Sequence, residues 1–252
     1  MDYIIYISAG LFAGILTGLI GLSAAVVIAP MFATFLGMDP YMAIGIALAS
    51  DVFASGVGSI NYIRHRKFNF TKILILTSVV VVFTILASYL SYFTNPITLN
   101  STINIFPLFL GLRFIIYPAT SKGSETPREI TNVTRVLALV IGAGIGFISG
   151  FFGGGGGLSI LALLTMLMRF DMKKAVGASL FIMTFTALVG AVTHIIIGGT
   201  FIIPLLVTSV AAVIGSYVSS FFGGRMEEKL LSRIIGVLLL IDGIVLILML
   251  FL

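Results

Sequence analysis

The chain has 252 residues, of which 59% are hydrophobic and only 9% are charged, and its formal net charge is +5. Soluble domains carry roughly 25% charged residues, so a soluble fold could not bury this much apolar surface, and we predict an integral membrane protein. The basic residues lie in short segments between apolar stretches, which indicates membrane topology rather than a nucleic-acid partner. The sequence has no cysteine, which excludes disulfides, thiolate metal sites and a cysteine nucleophile.

Apolar segments follow one another along the whole chain. They cover residues 3–36, 41–63, 70–93, 103–118, 133–168, 174–197, 203–223 and 233–251. The first and the fifth are longer than the roughly 20 residues that one membrane crossing needs. Each of these two is interrupted by small residues, GLIGLSAA at 18–25 and GFFGGGGG at 150–157. Both are therefore predicted to be broken helices.

An internal repeat relates the two halves of the sequence. Residues 10–70 align with residues 142–202 in a single register without a gap. The identical pairs include Gly10/Gly142, Gly14/Gly146, Gly18/Gly150, Gly21/Gly153, Asp39/Asp171, Ala43/Ala175, Gly45/Gly177, Leu48/Leu180, Phe53/Phe185 and Gly58/Gly190. We predict an N-terminal half at 1–118, a cytoplasmic linker at 119–132 and a C-terminal half at 133–252.

The charges of equivalent loops indicate that the two halves face opposite ways. The loop after the second segment is basic, whereas its counterpart at 196–199 is uncharged. Conversely, the loop predicted at 94–102 is uncharged, whereas its counterpart at 226–234 carries Lys229 and Arg233. Opposite charge in equivalent loops is typical of an inverted-topology repeat.

This orientation predicts a multi-pass protein of the cell membrane with both chain ends outside. The basic loops 64–72, 113–135, 169–174 and 225–233 are then cytoplasmic. Segment 133–168 enters the membrane and turns back at its glycines; segment 3–36 is either a similar hairpin from the other face or a single tilted span. The predicted fold is all-α, with each half made of a glycine-broken helical hairpin and three transmembrane helices.

The glycine breaks predict a binding site for a small anion. The free N–H groups of a broken helix cannot face lipid, and at a helix N-terminus they attract negative charge. The second arms begin near Ser23 and Gly155, and an inverted repeat would bring them together near the midplane. The glycines at 10, 14, 18, 142, 146 and 150 are instead spaced as a helix-packing face. Five consecutive glycines, Gly153 to Gly157, exceed what packing requires and favour a binding loop.

GFFGGGGG, followed by AVGAS at 175–179 and HIIIGG at 194–199, resembles the sulfite exporter TauE/SafE family of membrane permeases. Ser179 stands at the serine of the family's A-x-G-T-S-type motif. The N-terminal counterpart keeps Gly18, Gly21 and Pro30 but has Ser23, Ala24 and Ala25 where family glycines are usual. The resemblance implies transport of sulfite, sulfoacetate and related organosulfur anions. The substrate-binding candidates are Ser23, Ala24, Gly153, Gly154, Gly155, Gly156, Gly157 and Ser179.

Polar residues within the apolar segments are candidates for ion coupling or for the transport pathway. Asp51 is either hydrogen-bonded in its protonated form to a neighbouring helix or a carrier of a proton with the substrate. His194 could be an interfacial group, contact the anion or relay a proton, and Asn61 is a candidate for lining the path. Asp39 and Asp171 stand where helix N-caps are expected, and Asp242 is expected to bond to another helix.

These features favour a secondary transporter of a small sulfur-containing anion, in which the two halves rock about the site. An anion channel and a membrane scaffold subunit remain alternatives. An enzyme is not expected, since no metal-binding motif occurs and Ser179 and His194 are separated on one helix by about 22 Å. We expect no cofactor and no metal. The sequence leaves the coupling ion and the oligomeric state open, with proton coupling a candidate.

Overall fold

The computed structural model describes residues 2–63, 70–116, 132–154, 156–168, 170 and 172–223, with six single positions after 223. These residues form α1 (Asp2–Ile20), α2 (Ala25–Phe35), α3 (Pro40–Ile63), α4 (Phe70–Ser91), α5 (Pro96–Ile116), α6 (Asn132–Phe152), α7 (Gly156–Ala162), which continues into a π-helical turn (Leu163–Leu167), α8 (Met172–Gly198) and α9 (Ile202–Gly223). Within the described ranges no strand occurs, and six helices are long and apolar enough to cross a membrane. The all-α membrane fold is thus confirmed.

Both predicted helix breaks are present. α1 ends at Ile20 and α2 begins at Ala25, while α6 ends at Phe152 and α7 begins at Gly156. α1 and α2 form a hairpin rather than one tilted span, because the ring of Tyr6 in α1 packs edge-on against Phe32 in α2, with the ring centroids 5.5 Å apart. α2 has 11 residues, about 16 Å of helix, which is shorter than a full membrane crossing.

One helix begins earlier than predicted. α5 starts at Pro96, not at residue 103, so most of the predicted loop 94–102 is helical. The side chain of Asn95 explains the start, since its Oδ1 accepts the backbone N–H of Ile97 at 2.9 Å. Proline at the first helical position costs no hydrogen bond. The polar residues that follow, TLNST, continue the helix.

The glycines spaced four apart form the packing face predicted for them. A Cβ at Gly14 of α1 would overlap the backbone of Ala212 in α9, and a Cβ at Gly146 of α6 would overlap that of Val80 in α4. Gly146 is the repeat equivalent of Gly14, and Ala212 is that of Val80. The packing contacts therefore repeat in the register of the sequence repeat. α1 packs on α9 and α6 packs on α4, so that the first helix of each half packs on a helix of the other half.

α3 and α8 pack against each other at the centre of the molecule. The hydroxyls of Ser55 in α3 and Thr184 in α8 are hydrogen-bonded at 3.0 Å. α3 also packs on α9, and α8 on α4. α2 lies within this assembly and not on its surface, since Ala25 to Pro30 are all buried. The central pair therefore carries the side chains that can reach both helix breaks.

Asp39 has the predicted capping role at the start of α3. Its Oδ1 accepts the backbone N–H groups of Tyr41 at 3.0 Å and Met42 at 3.1 Å. The corresponding prediction for Asp171, and that for Asp242, fall outside the described residues, as do the basic loop residues 64–69 and the linker 119–131.

Candidate functional site

The break in the first hairpin is built on one glycine and one buried carboxyl group. Gly21 has φ 74°, a left-handed conformation that side chains other than glycine's disfavour. The Ser23 hydroxyl donates to Asp51 Oδ2 at 2.7 Å, and the Ala24 backbone N–H donates to Asp51 Oδ1 at 3.0 Å. Asp51, from α3, is completely buried. Its carboxyl group therefore caps the N-terminus of α2, where the sequence analysis placed an anion.

Both hydrogen bonds at Asp51 are donated to it. An ionised carboxylate is an acceptor only, so a carboxylate satisfies both contacts without a proton of its own. The partners of Asp51, Ser23 and Ala24, lie in the break before α2, and the protonation state of Asp51 stays a prediction. The N-terminus of a helix also favours negative charge. The first break consequently holds an acceptor group supplied by the protein.

The break in the second hairpin has a different chemistry. Gly153 has φ 71°, in register with Gly21. Gly153, Gly154, Gly156 and Gly157 are buried, and Gly155 lies outside the described residues. The position equivalent to Asp51 is Met183, whose sulfur lies where a Cβ at Gly157 would be. This break therefore has a thioether where the first has a carboxyl group.

The two breaks lie against each other. A Cβ at Gly157 would overlap the carbonyl oxygen of Gly21, and a Cβ at Gly154 would lie 2.7 Å from a methyl carbon of Val26 in α2. Neither position has room for a side chain. The glycines thus allow direct backbone contact between the two hairpins in the buried interior.

Ser179 of α8 lies beside the first break. Its Oγ would be 3.1 Å from a Cβ at Gly21, and it donates to the carbonyl of Val176 at 2.9 Å. Its side chain is fully buried. The structure thus brings Ser179 and Ser23 to the same break. Ala178, at the threonine position of the motif, is also buried but has no hydroxyl to offer.

His194 of α8 contacts the backbone of two other helices. Its side chain is completely buried. Its Nδ1 lies 3.1 Å from the carbonyl oxygen of Tyr41, and its Nε2 lies 3.3 Å from the carbonyl oxygen of Gly150. Gly150 belongs to the last turn of α6, just before the second break. His194 therefore contacts the end of the first arm of the second hairpin.

Asn61 lies elsewhere, between α3 and α9. Its Nδ2 donates to the Ser220 hydroxyl at 2.8 Å. The adjacent Tyr62 points to the first hairpin, with its hydroxyl 3.4 Å from the carbonyl oxygen of Gly18 and 3.3 Å from that of Leu19. Tyr62 occupies the position equivalent to His194, just as Gly18 is equivalent to Gly150. Sequence reasoning missed this equivalence, although the repeat register contains it.

A surface cleft of about 1240 Å³ opens at one end of the molecule. Its walls come from the start of α1, the turn between α2 and α3, and the turn between α8 and α9. These three parts of the chain consequently share one face. Asp2 and Asp39 are its acidic lining residues.

No group of three or more metal-ligating side chains occurs among the described residues. A family model described as Sulfite exporter TauE/SafE matches residues 6–246. The chain belongs to the TauE/SafE family. The match spans both hairpins and the central pair α3 and α8, so the geometry above is that of a TauE/SafE protein.

Two curated relatives of this TauE/SafE chain come from Bacillus subtilis (strain 168). The "Probable membrane transporter protein YunE" is 24% identical over 263 residues, which is 96% of each chain. The "Probable membrane transporter protein YdhB" is 24% identical over 236 residues, which is 92% of this chain and 95% of the relative. No solved structure matches the chain.

Proposed function

We propose that this protein is a secondary transporter of a small anion, sulfite or a related sulfur-containing anion, with the two helix breaks as its binding site. The observation that carries the proposal is the contact between two broken helices inside a buried core, where Gly157 meets Gly21. Broken helices of this kind offer backbone N–H groups to an anion in discontinuous-helix transporters. Family membership and the names of the two relatives support transport.

The anion is assigned to the second break. Asp51 accepts the N–H group of Ala24 and the hydroxyl of Ser23, so a carboxylate competes with any anion for the first break. Gly153 to Gly157 have no side chains to cover their N–H groups. Ser179, on α8 beside the breaks, is the nearest hydroxyl of the family motif. Ser23 can donate its hydroxyl to the anion only when that hydroxyl no longer donates to Asp51.

The membrane orientation follows the charge pattern. The two halves, 1–118 and 133–252, form an inverted repeat, with the basic loops 64–72, 113–135, 169–174 and 225–233 in the cytoplasm. Alternating access exposes the breaks first to one side and then to the other. The shared cleft supports this orientation, since the N-terminus and the turns at 36–39 and 199–201 are all expected outside. The sequence has no nucleotide-binding motif, so ion gradients or the substrate gradient supply the energy.

The decisive experiment is flux in proteoliposomes with a panel of sulfite, thiosulfate and simple sulfonates. We expect saturable flux of at least one of these anions and a strong loss in Gly153→Ala. That substitution combines an unfavourable φ with overlap on Ile44. Gly199→Ala is the matched control: Gly199 has φ 75° but has no atom within 4 Å of its added Cβ, so it has the same backbone strain away from the breaks.

Three outcomes distinguish the functions. No flux above empty liposomes for the whole panel would exclude these anions as substrates. Single-channel currents would show that the protein is an anion channel and not a carrier. Equal flux in the Gly153→Ala and wild-type proteins would show that the second break is not the binding site.

A further inference from the structure

His194 has an unusual pair of hydrogen-bond partners. Both ring nitrogens face backbone carbonyl oxygens, Tyr41 at 3.1 Å and Gly150 at 3.3 Å. A carbonyl oxygen can only accept a hydrogen bond, and a neutral imidazole has only one N–H to donate. In the neutral ring, one nitrogen lone pair would therefore point at a carbonyl lone pair. Only the imidazolium form donates to both partners.

The surroundings of the ring also suit a positive charge. Gly150 lies in the last turn of α6, at a helix C-terminus, where the helix dipole favours cations. Its carbonyl oxygen also accepts the Ser88 hydroxyl at 3.1 Å. The ring of Tyr41 lies against the imidazole, with the centroids 4.0 Å apart, which is close enough for a cation–π contact. These groups compensate in part for the cost of burying a charge without a counter-ion.

Few other titratable groups approach His194 within the described part of the chain. From α3, the ring faces Tyr41, and Tyr92, which follows α4, contacts Tyr41 in turn with centroids 5.3 Å apart. Asp39 precedes Tyr41 by two positions, and Asp51 follows it by about 15 Å along the helix. α6 contributes the carbonyl of Gly150, and its Arg135 lies about four turns earlier in the same helix. α2, α7 and the π-helical turn contain no acidic or basic residue.

We propose that His194 is the proton-binding site of this protein and that the conformation described here is its proton-loaded form. The protonated ring joins α8 to the start of α3 and to the end of α6. When the ring loses its proton, one of the two carbonyl contacts becomes repulsive, and α6 or Tyr41 separates from α8. A proton thus controls the arm that leads into the second break.

The location connects the proton to the anion, and this part rests on the proposed function. Gly150 precedes Gly153 by about 4.5 Å of helix rise. A positive charge beside Gly150 in a low-dielectric interior favours an anion at the glycine run, and the anion favours the proton. The proton and the anion would therefore move together. Tyr62, the repeat equivalent of His194, makes the corresponding contacts with Gly18 and Leu19 through a hydroxyl that does not need to change its charge.

The proton itself can be observed without transport. The chain has two histidines, so His65→Asn leaves His194 as the single one, and 15N-histidine NMR in lipid bilayers separates imidazolium from the two neutral tautomers. We expect the doubly protonated ring to increase as the pH falls from about 8 to about 5. One neutral tautomer across this whole range would overturn the proposal, even if the protein transports anions.

The coupling is tested in the proteoliposomes, with thiosulfate or a simple alkanesulfonate, whose charge does not change over this range. With one proton per monovalent alkanesulfonate no net charge moves, and a gradient of one pH unit supports about tenfold accumulation. For the thiosulfate dianion the same factor requires the membrane potential to be clamped at zero. We expect His194→Gln to lose this accumulation and Tyr62→Phe to retain it, each normalised to its own downhill flux. Full accumulation in His194→Gln would overturn the proton assignment and leave the transport proposal intact. If no anion of the panel is transported at all, the transport proposal fails and the NMR titration alone decides the proton site.

Discussion

Asp51 and its repeat partner Met183 show how single residues make the two breaks different. The carboxyl group of Asp51 accepts from Ser23 and Ala24 at the first break, whereas Met183 brings a sulfur atom to Gly157 at the second. The sequence shows that the pair is unequal. It could not show that Asp51 caps α2, because this contact joins residues 27 positions apart across two helices. The capping role of Asp39 was predictable, because the N–H groups that it caps lie only two and three positions further along the chain.

Removing the carboxyl group of Asp51 should destabilise the protein. Asp51→Ala leaves the Ser23 hydroxyl and the Ala24 N–H buried without their partner, which costs about 2 kcal/mol or more. Asp51→Asn keeps one acceptor oxygen and should cost less. Asp39→Ala, which removes an exposed cap, is the comparison and should cost about 1 kcal/mol. Thermal unfolding in detergent measures all three, and equal stability of Asp51→Ala and wild type would show that the cap is unimportant.

At the scale of helices, the boundaries that depend on local chemistry were the easiest to predict. Both breaks and the start of α3 agree with the sequence analysis because proline, aspartate and glycine act on their immediate neighbours. The start of α5 was missed because polar TLNST was interpreted as loop, although Asn95 and Pro96 give a helix-start signal. The partners of α1 and α6 could not be predicted, since small-residue spacing identifies a packing face and not the helix that covers it.

The packing face of α6 predicts opposite effects for two neighbouring glycines. Gly146→Ala places a methyl group against the carbonyl of Val80 in α4 and should cost about 1–3 kcal/mol. Gly144→Ala meets no atom within 4 Å and should be neutral or stabilising by up to about 1 kcal/mol through helix propensity. Thermal unfolding of the two variants in the same detergent checks this. The face would be wrongly assigned if Gly144→Ala were the less stable variant.

At the scale of the molecule, the repeat register extends from the sequence to the contacts. Gly14 with Ala212 and Gly146 with Val80 are equivalent pairs, and the two breaks meet near the middle of the helical assembly. The membrane sides of the loops stay a prediction, because their basis is the distribution of charge. Loop charges determine which side of the bilayer each loop faces. The packing between helices does not reveal that side.

Cysteine labelling can test the inverted orientation directly, because the protein has no cysteine of its own. Asn69 and Phe201 are equivalent positions of the repeat and follow equivalent helices. In an inverted repeat, Phe201→Cys should react with an impermeant maleimide in intact cells, whereas Asn69→Cys should react only after permeabilisation. Ser121→Cys, in the linker, is expected to behave as Asn69→Cys does. Labelling of Asn69→Cys and Phe201→Cys from the same side would make the repeat parallel.

The exchange of helices between the halves has a mechanical consequence. α1 packs on α9, and α6 packs on α4. In both pairs the glycine face lets the two helix backbones come into direct contact. A motion that separated residues 1–118 from residues 133–252 would have to pull both of these close contacts apart. The α3–α8 contact, which includes the Ser55–Thr184 hydrogen bond, also joins the two halves. The most extensive helix contacts therefore all cross between residues 1–118 and residues 133–252. The unit duplicated in the sequence is consequently not a unit that packs by itself.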